Sequence, residues 1–182
     1  MKSATKIVLA ALVAGVLGVA AGLWRDGRFA AAPAPSASPG VAVAAIGDPM
    51  PALVLPDLDG NLVDLRTRFA GKPLLINVWA SWCGPCVKEM PELAAFSREQ
   101  DANGVQVVGL ALDTPDAVRE FLAKVPVGYP IVLDTPGPAD ASVRLGNARG
   151  LLPYSVLVGA DGRIAKRKLG PFEPGEIHDW AR

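Results

Sequence analysis

Residues 73–86 read Pro73-Leu74-Leu75-Ile76-Asn77-Val78-Trp79-Ala80-Ser81-Trp82-Cys83-Gly84-Pro85-Cys86. From Pro73 to Trp79 the run is nearly continuous in apolar residues, the pattern of a strand covered on both faces. A helix is expected from Cys83 to about Gln100, so the two cysteines stand where a buried strand hands over to a helix. At a helix amino terminus unpaired N–H groups and the dipole favour negative charge, which stabilises a Cys83 thiolate and lowers its pKa below the usual about 8.5. Cys83 is therefore the candidate nucleophile. Cys86, three residues on and on the same helical face, is placed to attack a mixed disulfide formed at Cys83 and release the partner. Gly84 gives the linking turn its freedom, and Pro85 suits a first turn, where its missing N–H leaves nothing unbonded.

Outward from this segment, Asn103-Gly104 breaks the helix and residues 105–111 supply a second buried strand, parallel to the first. Thr114 and Pro115 open another helix through Val125, followed by a short strand over 130–133 and a short helix over 140–145. Residues 154–158 and 163–169 flank Ala160-Asp161-Gly162 as a hairpin, and a brief helix over 175–181 ends the chain. Ahead of everything, residues 52–55 and 61–64 flank an Asp-Gly turn. That turn lacks a calcium loop's pattern, since Leu62 and Arg68 stand where Gly and Glu are needed. The order of elements predicts an α/β fold: a three-layer α/β/α sandwich with a mixed central sheet and an added amino-terminal hairpin.

Composition limits the functions. The 182 residues are 51% hydrophobic and 20% charged, which suits one globular domain with an appendage and excludes a disordered chain. Setting aside the first 28 residues leaves 14 positive and 17 negative charges, so general attraction to nucleic acid is not expected. Two cysteines and one histidine cannot build a four-ligand zinc site, and no metal or other cofactor is expected. Val87 after the second cysteine excludes c-type haem attachment, which needs histidine there. A bridge between Cys83 and Cys86 closes too small a loop to restrain the unfolded chain, so a redox-active dithiol is favoured over a structural disulfide. A copper(I) chaperone using the two thiolates is the non-enzymatic alternative.

Residues 7–24 carry no charge and as a helix would reach about 27 Å, against a hydrocarbon core of about 30 Å. With Lys2 and Lys6 before them, residues 1–24 read as a signal anchor, or else a cleaved signal peptide. Residues 25–46 read as an Ala/Pro-rich linker and 47–182 as the domain.

Over about residues 46–182 the chain resembles the TlpA/ResA-like membrane-anchored thiol-disulfide oxidoreductases of the thioredoxin superfamily. The resemblance rests on Ile46-Gly47-Asp48-Pro49-Met50-Pro51, Gly71-Lys72-Pro73, the segment from Trp79 to Cys86, Glu89-Met90-Pro91 and Gly150-Leu151-Leu152-Pro153. It implies that Cys83 attacks, Cys86 resolves, and Pro153 is a cis-proline facing the pair, leaving neighbouring backbone free for an extended substrate. Trp82, Gly84, Pro85, Leu152 and Pro153 are the implied substrate-binding residues, with Trp79 and Trp82 packed around the site. Glu89 is implied to assist proton transfer, against the plainer reading of a solvated helix residue. Asn77 replaces the buried acid of thioredoxin, Leu152 replaces a commoner Thr or Val, and Pro91 is expected to kink the helix. His178 is expected at the surface, and Lys166-Arg167-Lys168 as a solvated strand edge.

The resemblance further implies a monomeric, periplasm-facing disulfide reductase on a single inner-membrane anchor, or a soluble periplasmic form if the signal is cleaved. Its expected partners are disulfide-bearing periplasmic proteins, with apocytochrome c or copper-assembly proteins among them, and a membrane electron donor. A peroxiredoxin-like peroxidase is the alternative enzyme, because residues 47–65 also resemble that family. The approach Ala80-Ser81-Trp82 lacks the Pro/Thr-rich character such a peroxidase needs.

Overall fold

The computed structural model describes residues 40–182. The expected membrane segment and residues 25–39 of the linker lie outside it. Among the described residues no helix is long and apolar enough to cross a membrane.

A hairpin of β1 (Val54–Pro56) and β2 (Leu62–Asp64) comes first, and Asp57 organises its turn by accepting the Asp59 and Asn61 amides. Asp64 then caps a four-residue helix, α1 (Leu65–Arg68), that the sequence pattern does not announce. One turn is too short for a 3.6-residue period to register; the Asp64 cap was its one local signal.

The main sheet contains β3 (Leu74–Trp79), β4 (Gln106–Leu112), β5 (Ile131–Asp134), β6 (Tyr154–Val158) and β7 (Ile164–Leu169). Their spatial order is β5-β4-β3-β6-β7. The first three are parallel, while β6 runs antiparallel to β3 and β7 antiparallel to β6, so the sheet is mixed as expected.

Every residue of β3 is buried, because its two sides serve two different layers. Leu75 and Trp79 pack beneath α2 (Gly84–Glu99) and α3 (Pro115–Lys124) with Met90, Leu93 and Val118. Leu74, Ile76 and Val78 pack on the opposite face with Leu65 and with Ala141 of α4 (Ala141–Arg144). The closing helix α5 (Glu176–Trp180) buries Ile177 in the first of these layers. This is the thioredoxin-like sandwich with its extra hairpin.

Helix α2 continues through Pro91, which is exposed. The expected solvated edge at Lys166-Arg167-Lys168 is corrected. Strand β7 does lie at the sheet's edge, but its cations are tied down. Lys166 Nζ donates to the carbonyls of Trp180 (2.9 Å) and Arg182 (2.7 Å), and Arg167 Nη2 donates to Ala44 (2.6 Å). Lys168 Nζ donates to Glu176 (2.8 Å). Alternation sends the two lysines toward α5 and the arginine toward the segment before the hairpin. Ala44, within the expected linker, also donates its amide to the Arg144 carbonyl (3.0 Å).

Gly109 lies between Asn77 and Ile131 in the sheet register. A Cβ there would meet Ile131 Cδ1 at 2.5 Å and Trp79 Nε1 at 3.0 Å, both in fully packed surroundings. Gly109→Ala is therefore expected to lower unfolding free energy by about 1–3 kcal/mol. Urea unfolding measures this, and an unchanged midpoint would refute the packing argument.

Candidate functional site

Strand β3 ends at Trp79, whose indole is fully buried and packs at 5.2 Å on the Phe121 ring of α3. The chain then turns, with Cys83 N–H donating to the Ala80 carbonyl (3.0 Å). Asp113, just past β4, holds this turn by accepting from both the Ser81 amide (3.0 Å) and hydroxyl (2.6 Å). These hydrogen bonds keep the Asp113 carboxyl below the usual carboxylate range against the opposing effect of burial. Nothing in the sequence pattern singled out Asp113.

Cys83 is the N-cap of α2, and its sulfur accepts from the Cys86 N–H at 3.3 Å. Pro85 lies in the first turn, as its missing donor allows. The two cysteines are joined as a disulfide with Cα atoms 5.3 Å apart, and both are buried. Gly84 and Pro85 beside them are exposed. So is Trp82, at 70%, which corrects the expectation that it packs around the site. Trp79 occupies the interior, and with Ser81 pinned to Asp113 the intervening turn directs the Trp82 indole outward.

On the other side, Leu152–Pro153 is a cis peptide bond, and Tyr154 pairs with Val78. Pro153 therefore precedes β6 next to the end of β3 where the dithiol turn begins. Leu152 is half-buried and Leu151 exposed. Buried Asn147 braces this loop, its side chain donating to the Leu151 carbonyl (2.9 Å) and accepting the Leu151 amide (3.1 Å). Nothing in the sequence singled out Asn147.

Glu89 lies one turn beyond Cys86 and is only 4% exposed, which overturns the plainer solvated reading. Its Oε1 accepts from Asn77 Nδ2 (2.9 Å) and its Oε2 from the Phe172 amide (2.9 Å). Asn77 also donates to Ser155 Oγ (3.1 Å). Burial pushes the Glu89 carboxyl up, and the Phe172 amide, Asn77 and the charge of Lys168 oppose that rise. Tyr129 is pushed up by its own burial and by the Glu89 charge.

His178 is exposed as expected, 2.7 Å from a Glu99 carboxylate oxygen that pushes its pKa up, and edge-on to Phe96. Among the described residues no group of three His, Cys, Asp or Glu side chains is gathered for a metal ion. The arrangement is a junction of strand and helix carrying two buried sulfurs, an exposed apolar rim, and one buried carboxylate with a raised pKa.

Residues 45–181 match the Redoxin family. The chain is 31% identical over 135 residues to thiol-disulfide oxidoreductase ResA of Bacillus subtilis, covering 74% of this chain and 73% of that protein. It is 28% identical over 148 residues to sporulation thiol-disulfide oxidoreductase A of the same organism, covering 78% and 86%. The crystal structure of a thioredoxin-related protein from Neisseria meningitidis serogroup B superposes with a TM-score of 0.61 at 33% identity, covering 69% and 93%. A thiol-disulfide oxidoreductase from Bacteroides fragilis gives 0.58 at 26% identity, covering 67% and 90%.

A carboxyl whose folded pKa is raised stabilises the fold below its unfolded pKa, and that stabilisation is lost as pH rises through the folded value. Glu89→Gln cannot ionise, so its unfolding midpoint relative to the unsubstituted chain is expected to climb as pH rises above the ordinary carboxylate range and to level off once the buried Glu89 has ionised. Replacing the Phe172 partner oxygen adds a pH-independent offset. A difference that stays flat with pH in urea titrations would show that Glu89 carries no raised pKa.

Proposed function

The chain belongs to the Redoxin family and is a ResA-like thiol-disulfide oxidoreductase, and from that premise we propose that it reduces disulfides in partner proteins of the periplasm. In this reading a single amino-terminal anchor holds the domain at the inner membrane, and apocytochrome c is among its substrates.

The Cys83 thiolate attacks one sulfur of the partner's disulfide, forming a Cys83–partner bond as the partner's own S–S bond breaks. Cys86 gives its proton to the Glu89 carboxylate and attacks Cys83 Sγ. The Cys83–Cys86 disulfide forms, the partner leaves as a dithiol once protons are taken up, and two electrons have passed to it. A membrane electron donor restores the dithiol.

The observation that carries the reading is the sulfur of Cys83 at the N-cap of α2 with the Cys86 amide donating to it, which favours the thiolate as attacking and leaving group. Exposed Trp82 and Leu151 on the two flanking loops supply apolar surface for a protein substrate. The uncharged run at 7–24 after Lys2 and Lys6 supports the anchor.

Cys86→Ala in the full chain is expected to accumulate a mixed disulfide with its periplasmic partner on non-reducing gels, and Cys83→Ala none. No trapped species with Cys86→Ala would refute the proposed order of attack. The dithiol potential, followed by tryptophan fluorescence in glutathione or dithiothreitol buffers, is expected near or below about −270 mV. A value near about −120 mV would make the protein a disulfide donor and end the reductase reading.

A further inference from the structure

Beneath Glu89 the sheet register sets four residues side by side: Gly109 on β4, Asn77 on β3, Ser155 on β6 and Lys168 on β7. Directly paired residues on adjacent strands project to the same face, so this is one row crossing the sheet under α2. The row is polar where it leaves the glycine. Asn77 bonds both Glu89 and Ser155, and the next position outward carries Lys168, the one lysine among the described residues whose charge acts on Glu89.

Lys168 is itself held. Its ammonium is 2.8 Å from Glu176 Oε1 and 5.5 Å from the centre of the Phe172 ring, with both side chains of the ion pair largely covered. The second oxygen of Glu176 accepts the Glu173 amide (2.8 Å). These contacts pin the segment that leaves β7, and that segment delivers the Phe172 amide to Glu89 Oε2. Glu92 of α2 fastens the same segment by accepting the Gly175 amide (2.8 Å).

Among the described residues, the other groups facing Glu89 do not duplicate this cation. On α2 there are Cys86 and the anion Glu92, on β3 and β6 the neutral Asn77 and Ser155, and before β5 the Tyr129 hydroxyl, kept neutral by burial.

We propose that Lys168 is a positioning residue for thiol-disulfide exchange: held by Glu176 against Phe172, its charge governs how readily Glu89 takes the Cys86 proton. The inference rests on the part assigned above to Glu89 in the resolving step. It adds that β7 and the carboxyl-terminal segment tune that step without touching either sulfur.

Two substitutions separate charge from bracing. Lys168→Met and Glu176→Gln both break the ion pair, so a merely structural brace would make them act alike. Through charge they act oppositely. Losing the cation moves Glu89 protonation to higher pH, whereas freeing Lys168 from its counter-ion moves it to lower pH. Glu89 is titrated by carbon-13 NMR of its side-chain carboxyl in the oxidised full chain, where neither cysteine titrates. In parallel, resolution is timed as release of glutathione from a Cys83–glutathione mixed disulfide across pH.

On the acid limb the rate is expected to fall about threefold or more in Lys168→Met and to rise in Glu176→Gln, half a pH unit being a factor of about three. Lys168→Arg is expected to keep the original profile. Shifts of the Glu89 titration in the same direction, or none, overturn the role of Lys168. Opposite shifts with an unmoved resolution rate overturn the part assigned to Glu89, and with it the functional half of this proposal.

Discussion

A carboxylate taken into a protein interior must find donors for its oxygens, or burial costs more than the fold can recover. At Glu89 the donors come from places far apart in the chain: the Asn77 side chain on the central strand and the Phe172 amide in the carboxyl-terminal segment. Meeting that requirement locks α2 over β3 and draws the end of the chain against the helix. The dithiol rides on the amino terminus of that same helix. Its position relative to the sheet is therefore fixed from below by a polar contact as well as by the apolar packing of Met90, Leu93 and Phe96.

The dithiol end is held with comparable economy. Asp113 grips Ser81 from the end of β4, and Asn147 grips Leu151 ahead of the cis-proline, so the loops on either side of the sulfurs have side-chain anchors. The sulfurs remain buried while Trp82, Gly84, Pro85 and Leu151 remain open to solvent. Under the proposed function a partner's extended segment would meet a preformed rim, with little ordering of the loops needed on binding. Exposure of Trp82 fits this division: a tryptophan in the core would stabilise the domain, but one at the rim offers contact area to another protein.

Much of the architecture was legible because it is written in local periodicity. Strand β6 was read at its observed bounds, and β3, β4, α2 and α3 within a residue or two, from apolar runs, a Thr-Pro cap and an Asn-Gly break. Features that failed to register were those without a local signature. Helix α1 is one turn long. Trp82 and Trp79 have similar local chemistry, yet one is exposed and the other sealed against Phe121. The cationic run on β7 looks solvated in sequence, and becomes a set of clasps only once α5 folds back across the strand.

The sequence by itself determined that a reactive pair sits at a strand-to-helix junction, because helix amino-terminal electrostatics and three-residue spacing are properties of a dozen neighbouring residues. What surrounds Glu89 was decided only by tertiary structure. Asn77 and Ser155 are 78 residues apart, and Glu89 and Phe172 are 83 apart. Such contacts form only when the sheet register and the return of the chain end bring them together, and no window along the chain contains both partners. The buried state of Glu89, its raised pKa and its line to Lys168 all follow from that closure.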